Sequence, residues 1–391
     1  MKTYLYIAFA ILMTAILPYQ KVVCQEPDSP FSFESDINGD FVSVLSGGIK
    51  TCEPEYMGLI SFQLGFDFEK AGLWKGGSFL IHIHNTHGQT VSADNVGDLQ
   101  VFSNLEAGNH TGIFELIYTQ KIGNLEISTG WNDLNATFSC TEFGGFFINS
   151  SFGITPGISL NVPVSIFPTT SPFVQTSYAF TKNSTLSFAT YAGNPGDIEN
   201  NRYNVKWDIN QDNGMLSILQ YAHSGSGEKK YCLKTGVYEH TGNFRAIKDT
   251  NKVFEDNYGI YLNFDKQLTL PGNRYSEGLN AFFQFSWAPS DRNLVNYYLG
   301  GGLTCHGFMR NKDARDKAGL GIAHLATSKT WQRTNPGCKA SETALELTYQ
   351  ILIKERISFQ PDIQYILNPG AGSNGNLQNA LISGIRFTLI Y

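Results

Sequence analysis

Near its C-terminus the chain alternates Leu345, Leu347, Tyr349, Ile351 and Ile353 with Glu346, Thr348 and Gln350. A period of two puts successive side chains on opposite faces, so this is a strand with one apolar and one polar side. The pattern repeats. Ile357, Phe359, Pro361, Ile363, Tyr365 and Leu367 oppose Ser358, Gln360, Asp362 and Gln364. Tyr258, Ile260, Leu262 and Phe264 oppose Gly259, Tyr261, Asn263 and Asp265, and Leu279 to Trp287 runs the same way. The last segment, Leu381 to Tyr391, alternates until the chain stops on an aromatic.

Two architectures accept such strands. In a soluble β-sandwich the apolar face packs on a second sheet; in an outer-membrane barrel it meets lipid and the polar face encloses water. Three features favour the barrel. The strands run to about ten to thirteen residues, against about five or six in soluble sheets. Trp287, Tyr297, Tyr298 and Tyr391 stand at strand ends, as interfacial belts require. The terminal strand ends on an aromatic. The expectation is an all-β fold, one antiparallel transmembrane β-barrel of roughly 16 to 18 strands with lumen-folded loops. Residues 133–173 alternate poorly and are the segment expected to fold inward.

Composition narrows the class. With 39 Gly, 28 Phe and 19 Tyr but only 16% charged residues, the chain suits short turns and lipid-facing strands. A net charge of −6 and no basic stripe exclude nucleic acid as a partner. Lys2, the uncharged run Tyr4–Leu17, and Val22 and Cys24 before Gln25 read as a signal peptide over 1–24. That run falls short of the about 20 residues a spanning helix needs. Residues 25–40 read as a leader or plug, and 41–391 as the barrel. The remaining cysteines, Cys52, Cys140, Cys232, Cys305 and Cys338, are odd in number and scattered, which is no disulfide framework. Strand parity puts Cys305 and Cys338 at opposite rims, so they are not expected to pair. The same parity makes 289–294 an unusually short outer loop.

Several segments resemble one family. Ala71–Phe79 (AGLWKGGSF), Gly97–Ala107 (GDLQVFSNLEA) and Phe114–Gln120 (FELIYTQ) follow its order. So do Gly300–Gly307 (GGGLTCHG) with Arg310 and Asp313, Glu346–Tyr349 (ELTY), Phe359–Gly370 (FQPDIQYILNPG) and Gly384–Phe387 (GIRF). Over residues 41–391 the chain resembles the carbohydrate-selective (OprB-like) porins. It departs from them in a second Arg-Asp pair, Arg315 and Asp316, and in ending on Tyr391 where Phe is commoner. The resemblance implies a 16-stranded barrel, monomer or homo-trimer, that passes carbohydrate solutes across the outer-membrane lipid by diffusion. It implies no cofactor.

A sugar pore needs no catalysis, only a constriction of polar groups and ring faces. By parity the inward residues are Glu115, Asn263, Asp265, Glu346, Gln350, Gln360, Asp362, Gln364 and Arg386, each a candidate contact or an ordinary solvated lumen residue. Arg310 and Asp313 read as a pore-facing pair or a surface turn. Pro361, lacking a ladder donor, is expected at a bulge that re-aims Asp362 and Gln364. His82, His84 and His87 form a cluster of metal-ligand type, but no further ligand of fitting spacing is evident, so a hydrated lumen cluster is the expected reading. No GxSxG elbow is present; His223–Gly227 reads as a Gly/Ser turn. The other readings are a plugged structural or adhesive outer-membrane barrel and an exported sugar-binding β-sandwich.

Overall fold

Sixteen barrel strands follow one another in the computed structural model, with one two-residue pair (Phe244–Arg245 and Val253–Phe254) outside the barrel; the structure describes residues 29–391 apart from 197, 207–208, 211, 226–229, 270–277, 310–315, 354–355, 373–374 and 376. They are β1 (Phe31–Gly48), β2 (Cys52–Asp67), β3 (Gly77–Gly88), β4 (His110–Ile122), β5 (Leu125–Asn132), β6 (Ser171–Thr181), β7 (Ser184–Ala192) and β8 (Met215–Gly225). Then come β9 (Tyr231–His240), β10 (Asn257–Gln267), β11 (Leu279–Trp287), β12 (Val295–His306), β13 (Asp316–Thr327), β14 (Ser341–Ile353), β15 (Ile357–Leu367) and β16 (Gln378–Ile390). Each pairs antiparallel with its sequence neighbours, and β1 pairs with β16, closing the sheet. Closure satisfies every strand's backbone without an edge, the condition a sheet must meet to sit in hydrocarbon.

The alternation sorts the two faces. Phe33, Ile60, Ile127, Val174, Phe188, Leu219, Val237, Ile260, Phe283, Leu320, Leu347, Ile363 and Ile385 all lie exposed on the outside. A packed sandwich would have hidden these rows, so the sandwich reading is overturned. Among the expected belt aromatics, Trp287, Tyr297 and Tyr391 are exposed. Tyr298 instead points inward and is fully buried, its hydroxyl donating to Ser151 O at 2.9 Å.

Three further expectations change. Strand β1 begins at Phe31, so residues 31–40, read as leader or plug, are barrel wall paired with β2 and β16. Their inward Asp36, Asn38 and Asp40 have the composition of a leader, while Phe31, Phe33, Ile37 and Phe41 carry the period. Pro361 makes no bulge: its register with β14 and β16 is unshifted on both sides, and it sits exposed on the lipid face. Ordinary alternation already aims Asp362 and Gln364 inward. The three histidines also divide, His82 and His84 facing in and His87 bonding outward to Tyr56 OH at 3.1 Å. The signal-peptide residues lie outside the described residues.

Both ends of the described chain lie at one rim with the connections 68–76, 123–124 and 182–183; the opposite rim carries 89–109, 133–170, 193–214 and 241–256. Short periplasmic turns and longer external loops are the rule in outer-membrane barrels, which makes the first rim periplasmic. The connection 288–294 is indeed short. Cys305 ends β12 near the periplasmic rim and Cys338 lies in an external connection; all five cysteines are free.

If the outer rows face acyl chains, Leu347→Arg at the middle of β14 should cost about 2–4 kcal/mol of folding free energy in vesicles. Gln350→Lys, on the inner face three residues on, should change it little. Urea titration of vesicle-folded protein measures both, and equal effects would reverse the orientation.

Candidate functional site in the barrel lumen

The lumen is narrowed from within. Residues 133–170 leave β5 and fold into the barrel as short turns, 134–136, 144–146, 150–152 and Pro156–Ser159, rather than strands. Few residues here alternate, so a ladder would expose apolar side chains on both faces. One side packs on β11 to β13, where Phe147 lies 4.8 Å from Phe152 and 5.4 Å from Phe282 of β11 between ring centroids. Glycines make this approach possible. A Cβ at Gly319 would stand 2.8 Å from the Phe146 ring, and one at Gly321 2.7 Å from the Phe152 ring. On the other side Leu134, Phe138, Ile154 and Ile158 pack with Tyr191, Ile218, Tyr238 and Tyr261.

Inserted backbone brings N–H groups that must find partners. Carboxyl groups of the wall supply them. Glu346 accepts from Ile148 N at 2.7 Å and Asn149 N at 2.9 Å, and Asp265 from Phe143 N at 3.0 Å and Glu142 N at 3.1 Å. Glu342 takes Leu99 N at 2.9 Å, Gln100 N at 3.0 Å and Gly370 N at 2.6 Å, which draws in the second connection, 89–109. Gln360 Nε2 donates to Phe146 O at 3.0 Å, and Gln364 Nε2 to Phe102 O at 2.8 Å. Arg386 grips Asp40 with two bonds of 2.7 and 2.8 Å across the β1–β16 seam, and Ser103 Oγ donates to Asp40 at 2.7 Å.

The inward residues expected from parity are therefore inward. Asp265, Glu346, Gln360, Gln364 and Arg386 hold inserted chain or the seam, while Asp362 accepts from Gln364 Nε2 at 3.0 Å. Gln350, partly exposed, donates to Gln360 at 3.2 Å. Asn263 is buried, and its amide has no partner among the described atoms. Glu115 bonds His82 Nδ1 at 2.8 Å, and His82 Nε2 lies 2.7 Å from Ser61 Oγ. Arg310 and Asp313 lie outside the described residues. Among the described residues no group of three or more metal-ligand side chains is assembled.

What faces open lumen is the tip of the first inserted segment. Glu142 and Gly145 are exposed, Phe143 and Phe146 partly so, and a Cβ at Gly145 would meet nothing within 4 Å. Lys317 Nζ sits 4.3 Å from the Phe146 ring centroid. Parity could not find this tip because it is not a strand; its only signal was Gly144-Gly145-Phe146-Phe147 inside the segment that fails to alternate.

The inserted connections also carry half-buried acids. Burial pushes Glu106 up to about 7, with Asp98 and Asp94 adding to it, although Ser92 N and Ala93 N both donate to its carboxyl. Burial likewise lifts Asp98 to about 6 and Asp133 to about 7.

Two outcomes follow. Glu346→Ala removes two bonds of a kind worth about 0.5–1.5 kcal/mol each. It should raise single-channel conductance and current noise while the barrel still folds; unchanged conductance would mean that the segment is held elsewhere. Glu106 titrates above its ordinary value in the folded state, so its contribution is greatest when protonated and fades as pH rises through about 7. Melting in detergent at about pH 6 and pH 8 should therefore fall less in Glu106→Gln than in the parent. Identical falls would remove Glu106 from the account.

Comparison with known proteins agrees with this geometry. The model of the carbohydrate-selective porin, OprB family, matches residues 53–391. Porin B of Pseudomonas aeruginosa is 23% identical over 409 residues, covering 92% of this chain and 87% of that protein. The high-pH structure of Pseudomonas putida OprB superposes with a TM-score of 0.83 at 19% identity, covering 93% of this chain and 95% of that one. The outer-membrane channel DcaP of Acinetobacter baumannii shares the fold at a TM-score of 0.57 and 10% identity, covering 92% and 97%. A closed 16-stranded barrel, narrowed from inside and matched to the family over most of its length, belongs to the carbohydrate-selective porins of the bacterial outer membrane.

Proposed function

We propose that sugars cross this barrel by passive diffusion, passing between the tip at 142–146 and the facing wall. The observation that carries the reading is Gly145, which opens on unfilled lumen although the segment bearing it is packed on both flanks. A hydrated sugar needs hydrogen-bonding groups and ring faces along its path, and Glu142, Phe143, Phe146 and Lys317 offer both. Asp265, Glu346, Gln360, Gln364 and Arg386 act on passage indirectly, by fixing where the inserted chain lies. Glu115, Asn263 and Asp362 line the polar inner wall behind it. Diffusion asks for no bond making, so no catalytic group is assigned. The apolar belt runs round the whole barrel, which supports each barrel working as a channel by itself in lipid.

Liposome swelling tests this. Vesicles carrying the protein should swell in an isosmotic monosaccharide and more slowly in oligosaccharides. Gly145→Trp should reduce both swelling and ion conductance, because the new ring occupies the free space. No swelling with the parent protein would favour the plugged structural barrel.

A further inference from the structure

Beyond the constriction, the inner wall of β1–β4 has a dent at the periplasmic mouth. Register sets Ser32, Gly65, Leu80 and Ile117 side by side across the four strands, all facing in. The row nearer the rim is Asp67, Ser78 and Thr119, paired in the same way. Gly65 is the gap in an otherwise continuous row of side chains. The result is a concavity of about 390 Å³, open to the vestibule.

We propose that this concavity is a second sugar subsite, separate from the constriction, for one neutral pyranose unit leaving the channel. Its volume falls within the range of about 300–1,000 Å³ typical of small-molecule sites. Leu80 and Ile117 give an apolar floor for the C–H face of the ring, and the hydroxyls of Ser32, Ser78 and Thr119 stand around that floor. Toward the constriction the next row across the wall is Glu34, Gln63, His82 and Glu115, of which Gln63 is the neutral amide. Of the charges around it, Lys121 pairs with Glu126 at 3.1 Å and Asp67 Oδ1 accepts from Glu69 N at 2.9 Å and Lys70 N at 3.0 Å, while the exposed Lys70 side chain stands at the edge of the concavity. A floor of two aliphatic side chains rewards a sugar face, and the charged Asp67 and Lys70 stand at its rim rather than in it.

The proposal rests on the sugar-channel reading, and the test separates the two. A Cβ at Gly65 would approach only the Ser32 hydroxyl closely, at 2.4 Å, a group free to turn away, so Gly65→Leu fills the dent with little strain on the wall. Leu80→Ser removes the floor without filling the space. With barrels inserted in one orientation in planar bilayers, a monosaccharide added on the periplasmic side should produce saturable current noise in the parent protein. Both variants should weaken its apparent affinity by about fivefold or more. Conductance without sugar should stay the same, because the constriction is untouched. Unaltered affinity in both variants overturns the subsite. Absence of the effect in a parent protein that still swells liposomes overturns the subsite alone; absence of both overturns the sugar channel as well.

Discussion

A strand surrounded by acyl chains can place its N–H and C=O groups only on another strand. That constraint governs this molecule. It forces the last strand to return to the first, and among the described residues it makes the β1–β16 seam the one pairing between strands far apart in sequence. The Asp40–Arg386 pair lies at that seam on the inner face, where two charged groups can bond away from lipid. Once closed, the barrel separates an apolar outside from an inside that must satisfy its own polar groups.

The same backbone requirement reappears inside. Residues 89–109 and 133–170 enter the lumen without a sheet to join, so their N–H groups turn to side chains of the wall. Glu342, Glu346 and Asp265 each accept two or more of them. Acids are suited to this work because one carboxyl can serve two adjacent amides, while aliphatic and aromatic contacts hold the flanks. Gly319 and Gly321 of β13 complete the fit by letting Phe146, Phe147 and Phe152 lie against bare backbone.

Much of the wall was legible because β10, β11 and β14 to β16 alternate apolar and polar side chains. The inward orientation of Glu346, Asp362 and Gln364 followed from parity alone. β1 was less legible, since Asp36, Asn38 and Asp40 masked the outward Phe and Ile positions. Tyr298 misled because an aromatic at a strand end serves equally as an interfacial anchor or, one residue out of phase, as a donor into the lumen. Roles were less legible than directions. Parity says that Glu346 points inward, but not that it meets Ile148 and Asn149 almost 200 residues earlier in the chain, a contact that exists only after closure. The constriction tip has no periodicity and left only a negative sign, a stretch where the alternation stops.

In this barrel, girth and aperture are set by different parts of the chain. Sixteen strands determine how wide the cylinder is and what it shows to the bilayer. The free cross-section depends on how far one inserted segment stands off the wall, and that standoff is governed by a few carboxyls and glycines. Permeability can therefore drift by exchange within residues 133–170 while the membrane-facing shell, with its own folding requirements, stays as it is.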